Sequence, residues 1–216
     1  MGKDVEVGQP AGTMEQDVPH APKATSTFPA NSQLWEIFLM HKHGLAVMRC
    51  QPFHVGHNRI IARMLDECEH VTIVIGSIQE RGTARNPFSY TVRKKMIQNV
   101  WRNHPRYGDI RIMGLQDINN PGEWAQYVID FVNENSSFPD KVDAYYCGSD
   151  YDGHWFRSQK ISLELVNRVD LEHPFVSASM VREMLTYNDP RWKDFVPEEN
   201  HPLIEQERTK QADGII

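Results

Sequence analysis

The sequence predicts an α/β protein built on a doubly wound parallel sheet, and two observations carry that reading. From Gly44 onward, short apolar or β-branched runs alternate with stretches whose apolar residues fall at helical spacing. Those stretches are roughly 10–15 residues long, the length that joins parallel strands in βαβ units.

The first strand is read in "GLAVMRC" from Gly44. The helix after it, "HNRIIARMLDECEH", sets Ile60, Ile61, Met64, Leu65 and Cys68 on one face. "VTIVIGS" (71–77) is a continuous β-branched run, as in a strand buried on both faces. Ser89 then offers an N-cap to a helix that buries Val92, Met96, Ile97, Val100 and Trp101. "DIRIMGL" reads as a third strand, "GEWAQYVIDFVNEN" as a third helix, "KVDAYYCGSD" as a fourth strand and "LELVNRVDL" as a weaker fifth. "SASMVREML" opens another helix, and the rest is read as a helical C-terminal part.

Upstream, residues 1–32 are rich in Pro, Gly, Ala, Thr and acids without apolar periodicity, the composition of a disordered tail or linker. Residues 33–43 are read as a short packing segment, helix or strand, and 44–216 as the main domain.

The 216 residues suit one main domain, and 40% hydrophobic with 24% charged residues lets it bury a core without staples. A formal net charge of -6 argues against a general nucleic-acid binder, but leaves room for a small anionic ligand in a locally basic pocket. Cys50, Cys68 and Cys147 show no CxxC spacing and sit in apolar segments, so buried free thiols of a reducing, cytoplasmic protein are expected. No run approaches the ~20 apolar residues of a membrane span, and no secretory signal opens the chain.

In a doubly wound sheet, ligands bind beyond the carboxyl ends of the strands at the switch point. The loop there after the first strand is "QPFHVGH", Gln51 to His57, which is neither GxGxxG nor GxxxxGK. Gly56 lets backbone approach a ligand, and His57 opens a helix whose free N–H groups attract anions. With His54 three residues before His57, imidazole donors and a helix N-terminus converge as a phosphate site requires. The plainer alternative makes both histidines turn and cap residues. A second such start lies in "VSASMVREM", where Ser177, Ser179 and Arg182 gather at a helix terminus. Its plainer alternative is an ordinary N-cap and a solvated arginine.

HxGH with a distal S-x-[ST]-x-x-R resembles the HxGH nucleotidyltransferase superfamily. "GLAVMRCQPFHVGH", Gly76-Ser77 with Gln79-Glu80, "NPFSYTVRKKMI" and "DINNPGEW" together resemble the archaeal-type nicotinamide-mononucleotide (NMN) adenylyltransferases, over about residues 44–185. Met48 departs from the usual glycine, Ser179 from the commoner threonine, and "GSDYDGHW" looks more like the bacterial GxD loop.

The resemblance implies a Rossmann-like nucleotidyltransferase domain that transfers AMP from ATP to NMN, giving NAD and pyrophosphate. It casts His54, His57 and Arg182 as catalytic, and Arg49, Phe53, Gly56, Ser177, Ser179 and Asp150 as ATP-binding. Asp117, Asn119 and Trp124 fall on the acceptor side, with Trp155 a rival for stacking on the nicotinamide ring. Mg²⁺ is expected to arrive on ATP, with no protein metal cage, no nucleic-acid or membrane partner, and a homo-oligomeric state. The remaining eight histidines are expected at the surface. Two other readings stay open: a related transferase acting on phosphopantetheine or with CTP, and a nucleotide-sensing module without turnover.

Overall fold

The computed structural model describes residues 40–167 and 175–212, all within a unit that runs from Gln33 to Ile216. The expected tail (1–32), residues 33–39 of the packing segment and residues 168–171 of the fifth-strand reading lie outside the described residues.

Five parallel strands form one sheet in the order β3-β2-β1-β4-β5. They are β1 (His41–Met48), β2 (Cys68–Ile75), β3 (Ile110–Gly114), β4 (Ala144–Cys147) and β5 (Ser162–Leu165). Between and after them run α1 (Val55–Glu67), α2 (Tyr90–Trp101), α3 (Trp124–Asn135), the one-turn α4 (Asp150–Gly153), α5 (Ala178–Thr186) and α6 (His201–Ala212). The strand order reverses at β1, so the crevice between β1 and β4 is the switch point.

Strand alternation divides the core into two layers. Ala46, Met48, Val71, Ile73, Ile75, Ala144 and Tyr146 face a cluster with Ile61 and Met64 of α1, Met96 and Ile97 of α2, Val181 of α5 and Ile204 of α6. Leu45, Val74, Tyr145 and Cys147 face the other side, against Ala125, Val128 and Val132 of α3. Each fully buried aliphatic side chain there contributes about 1.5–3 kcal/mol by area. All three cysteines are buried and free. Among the described residues no helix is long and apolar enough to cross a membrane.

Among the boundaries that differ from the sequence reading are the starts of β1 and β2. β1 begins at His41, three residues before Gly44. The helical pattern read through His70 stops at Glu67, and Cys68 to His70 belong to β2. Both corrections have one cause: β1 and β2 pair in register from His41 opposite Cys68. His43 also overturns the surface placement of the remaining histidines, being fully buried. Its Nδ1 meets the Asp140 carbonyl at 2.9 Å and its Nε2 the Thr72 hydroxyl at 2.8 Å, so neither ring nitrogen needs water.

Candidate active site

Beyond the carboxyl ends of β1 and β4 lies a cleft of about 310 Å³. Met48 lines it from the end of β1, Arg49 and Gln51 from the loop that follows, and His54, His57 and Ile60 from the start of α1. Gly148 and Asp152 line it after β4, and Ser177, Ser179 and Arg182 from α5. Two segments more than a hundred residues apart in sequence therefore meet at the switch point.

The start of α1 is capped by its own histidines. His54 is the N-cap, and its Nδ1 accepts from the Gly56 N–H at 3.1 Å. His57, at the third helical position, accepts at Nδ1 from the His54 N–H at 3.3 Å. An imidazole that accepts at Nδ1 carries its neutral-form proton at Nε2. The capping bonds therefore set both rings as Nε2–H donors. The rings stack with centroids 3.8 Å apart, and Phe53 stacks behind His57 at 5.7 Å.

At the start of α5, Ser177 is the N-cap, its hydroxyl oxygen accepting from the Met180 N–H at 3.2 Å. Arg182 donates to the Gln51 carbonyl at 2.7 Å and the Ser179 hydroxyl at 3.0 Å, tying α5 to the loop after β1. Those bonds use two of its five N–H groups, so the guanidinium retains donors for an anion. Its pKa is lowered by burial, then by the like charges of Arg49 and Arg85. Three arginines so close together favour a polyanion between them. Arg182 also lines a second cavity, with Gly82, Thr83, Phe88, Leu185 and Arg208. Cys50 lines the cleft too, but burial pushes its thiol far up, so it supplies no thiolate nucleophile.

The frame beneath the cleft is polar, with Gln51, Ser77 and Arg93 buried and Asp117 at its exposed end. The Gln51 side chain pairs with both backbone groups of Phe88, at 2.8 and 2.9 Å. Arg93 of α2 donates to the carbonyls of Arg49 (2.9 Å), Gly76 (2.8 Å) and Ser77 (3.0 Å). Ser77 in turn holds Asp117, its N–H on Oδ1 at 3.2 Å and its hydroxyl on Oδ2 at 2.6 Å.

Of the residues singled out in sequence, His54, His57, Arg49, Ser177, Ser179 and Arg182 come together in the cleft. Phe53 is wholly buried in the core as the backing of His57. Gly56 is where the His54 ring closes on the backbone, since a Cβ there would lie 3.0 Å from that ring. Asp150 is exposed and pairs with Arg157, whereas Asp152, two residues on in the same turn, lines the cleft. Asp117, Asn119 and Trp124 follow β3 and are not among the residues that line the cleft. Trp124 is half-buried against Tyr127, and Trp155 lies on His154. The sequence reading gave no role to Asp152, Arg85 or Arg93. A four-residue helix after β4 and the arginine before "NPF" carry too little pattern to find the first two. The third closes the motif "NPFSYTVR", which marks the position without showing what its side chain holds. A cluster of Glu69, His70 and Asp140, with ligand atoms within 4.8 Å, lies at the amino ends of the strands, away from the cleft.

Such a site, two helix N-termini armed with imidazole, hydroxyl and guanidinium donors at the switch point of a parallel sheet, defines the nucleotidyltransferase class of α/β domains. Residues 49–184 match the cytidylyltransferase-like family, and the chain belongs to it. The nicotinamide-nucleotide adenylyltransferase of Thermococcus sibiricus is 31% identical over 158 residues, 71% of this chain and 78% of that protein. That of Thermoplasma acidophilum is 28% identical over 177 residues, 81% of this chain and 88% of its own. Among solved structures, a bifunctional NMN adenylyltransferase/ADP ribose pyrophosphatase from Francisella tularensis superposes with a TM-score of 0.60 at 21% identity, over 69% of this chain. The match spans 43% of that longer protein, and at this identity it speaks to the fold. A second structure of that description, complexed with AMP and Mn ion, gives 0.58 at 24% identity over 69% of this chain and 42% of its own.

Proposed function

We propose that this chain is an NMN adenylyltransferase, moving the AMP unit of ATP onto NMN to give NAD and pyrophosphate. The observation that carries the reading is the meeting of His54 and His57 with Ser177, Ser179 and Arg182 around one cleft at the switch point. The naming of the relatives chooses the acceptor among the substrates such a site admits.

In the proposed step, an oxygen of the NMN 5′-phosphate bonds to the α-phosphorus of ATP. The bond from that phosphorus to the bridging oxygen breaks, and its electron pair leaves with pyrophosphate. In-line transfer asks for alignment and charge stabilisation, with no nucleophilic side chain. The Nε2–H groups of His54 and His57 donate to the phosphate chain at the reacting phosphorus, with the α1 N-terminus behind them. Arg182, Ser179 and the Ser177 hydroxyl hold the departing pyrophosphate, and Arg49 and Arg85 add positive charge. Asp152 is the acidic residue of the cleft lining. One carboxylate beside a triphosphate suits Mg²⁺, which keeps most of its waters and binds mainly to substrate phosphates. The ion, arriving on ATP, neutralises phosphate charge.

On the acceptor side, Trp124 offers an indole face for the cationic nicotinamide ring. Asp117, oriented by Ser77, accepts from the carboxamide NH2, and Asn119 completes that edge.

The test is pyrophosphate release by the purified full chain with ATP and Mg²⁺, offered NMN, nicotinate mononucleotide or phosphopantetheine, and separately CTP with a phosphoalcohol. NMN-dependent release with stoichiometric NAD is expected. Release with phosphopantetheine or CTP alone would assign another transferase. Nucleotide binding with no turnover would leave a sensing module.

A further inference from the structure

The buried guanidinium of Arg93 is the largest side chain in the fully buried core, and the transfer chemistry described above makes no use of it. Its acceptors are three backbone carbonyls, those of Arg49, Gly76 and Ser77, and none is a carboxylate. All three acceptors are neutral, the Asp117 carboxylate acts on the guanidinium only through space, and a hydrophobic side chain of similar volume would serve packing as well. The carbonyls it holds are therefore the reason for its presence.

Those carbonyls belong to the two loops that face the substrates. Arg49 and its neighbour Cys50 form the turn after β1 that leads to His54 and His57. Ser77 begins the turn after β2 and holds Asp117 through its N–H and hydroxyl. Cys50 (φ 53°) and Ser77 (φ 51°) both occupy the left-handed region, unfavourable for residues with a side chain. Such backbone persists only where its surroundings fix it, and Arg93 bonds the carbonyl next to one strained residue and the carbonyl of the other. The same frame continues outward, because the Gln51 side chain grips Phe88 while its carbonyl receives Arg182. Hydrogen bonds thus join Arg182 to Gln51 and Gln51 to Phe88, and a second set joins Arg93 to Arg49, Gly76 and Ser77 and Ser77 to Asp117; the two sets meet along the chain in the turn from Arg49 to Gln51.

We propose that Arg93 is a positioning residue for the transfer, locking the ATP-side turn after β1 and the acceptor-side turn after β2 into one register. The proposal rests on the adenylyltransferase reading for which substrate each turn faces. Attacking oxygen and α-phosphorus are held by different loops, so their alignment is only as good as the bond between those loops. Lysine keeps the charge but lacks the planar fork that spans the carbonyls of Gly76 and Ser77 while reaching Arg49.

The experiment uses the full chain with Arg93→Lys and Arg93→Ala, each checked by thermal melting and near-UV circular dichroism. Rates are taken per folded molecule and relative to the parent. Arg93→Lys is expected to lower kcat about 100-fold while KM for ATP and for NMN each moves less than about threefold, since misalignment acts on the transition state more than on binding. Guanidinium ion at low millimolar concentration is expected to restore part of the kcat of Arg93→Ala, and equal urea or sodium chloride is not. A folded Arg93→Lys enzyme with parental kcat overturns the proposal. So does guanidinium that raises the melting temperature of Arg93→Ala without raising its kcat per folded molecule. A parent chain inactive toward NMN counts against the adenylyltransferase reading instead, and the variant-to-parent ratio is then taken with whichever acceptor it uses.

Discussion

Replacing Gly56 with alanine separates the stability of the α1 cap from the placement of His54. A Cβ at Gly56 would lie 3.0 Å from Cε1 and 3.1 Å from Nδ1 of His54, and 3.2 Å from Cγ1 of Val176. These contacts demand displacements of a few tenths of an ångström. Val176 is fully buried and His54 is 1% exposed, with its ring pinned between the Gly56 N–H and the His57 ring. For stability, alanine gains up to about 1 kcal/mol of helix propensity over glycine, while overpacking costs about 1–3 kcal/mol. The net loss is then about 0–2 kcal/mol, a small shift in melting temperature. For catalysis, an ångström of misplacement costs about 100-fold; a few tenths should cost about tenfold, or about 1.4 kcal/mol of barrier. Pyrophosphate release at saturating ATP and NMN reads kcat, and a melting curve reads the fold. Gly108→Ala, where a Cβ meets nothing within 4 Å, is the control and should leave kcat unchanged. A folded Gly56→Ala enzyme with parental kcat would refute the placement of the His54 ring at the reacting phosphate.

His57→Asn and His57→Gln divide the two jobs of that ring, because the amide oxygen of asparagine can stand in for Nδ1 and the longer glutamine for Nε2. Asn should keep the melting temperature and lose about 10²–10³ in kcat, as deletion of a transition-state donor does, whereas Gln should retain more activity and lose about 1 kcal/mol of cap stability. Trp124→Ala should raise KM for NMN far more than for ATP, and the parent should prefer NMN to nicotinate mononucleotide, whose carboxylate Asp117 would repel; equal use of both, with an unchanged variant, sinks the acceptor-side assignment. His43 is held below the ordinary imidazole value of 6.5, chiefly by burial and in part by the charge of His70, against the Asp140 carbonyl and the carboxylates of Asp143 and Asp140. The unfolded chain therefore takes up a proton that the folded one refuses, so this contribution is whole above about pH 6.5 and shrinks as pH falls below it. His43→Gln should flatten the acidic limb of melting temperature against pH, and an unchanged limb would count against it.

The parallel sheet was legible because its interior strands, such as "VTIVIGS", are apolar on both faces and its helices show a clear stripe. The strand starts were not. "HKH" ahead of Gly44 reads as polar, yet it pairs in register with "CEH", and the polarity is absorbed locally by Asp140, Asp143 and Thr72. That compensation comes from segments about thirty and a hundred residues away, which no local pattern encodes. β5 shifts similarly: of the described residues of "LELVNRVDL", Val166 and Asn167 fall outside the strand, which runs from Ser162 to Leu165 where β4 supplies partners.

The site was legible where one residue type had an unusual job, and opaque where a common type had one. Two histidines at a helix start admitted a capping reading and a phosphate reading, set against each other as alternatives. The structure makes them one arrangement: each Nδ1 accepts a backbone N–H, and that bond leaves the proton on Nε2. Capping thus prepares the donor, so the residues that hold the helix start together also fix the tautomer the chemistry needs. Arg93 shows the converse. Its place in "NPFSYTVR" marks a motif position with no role attached, and only the meeting of three loop carbonyls around its guanidinium turns it into the joint of the cleft. Donors that face a substrate come in short motifs because one helix terminus gathers them. The groups that align those termini are scattered, because alignment is a relation between distant elements, and a sequence read locally passes over them.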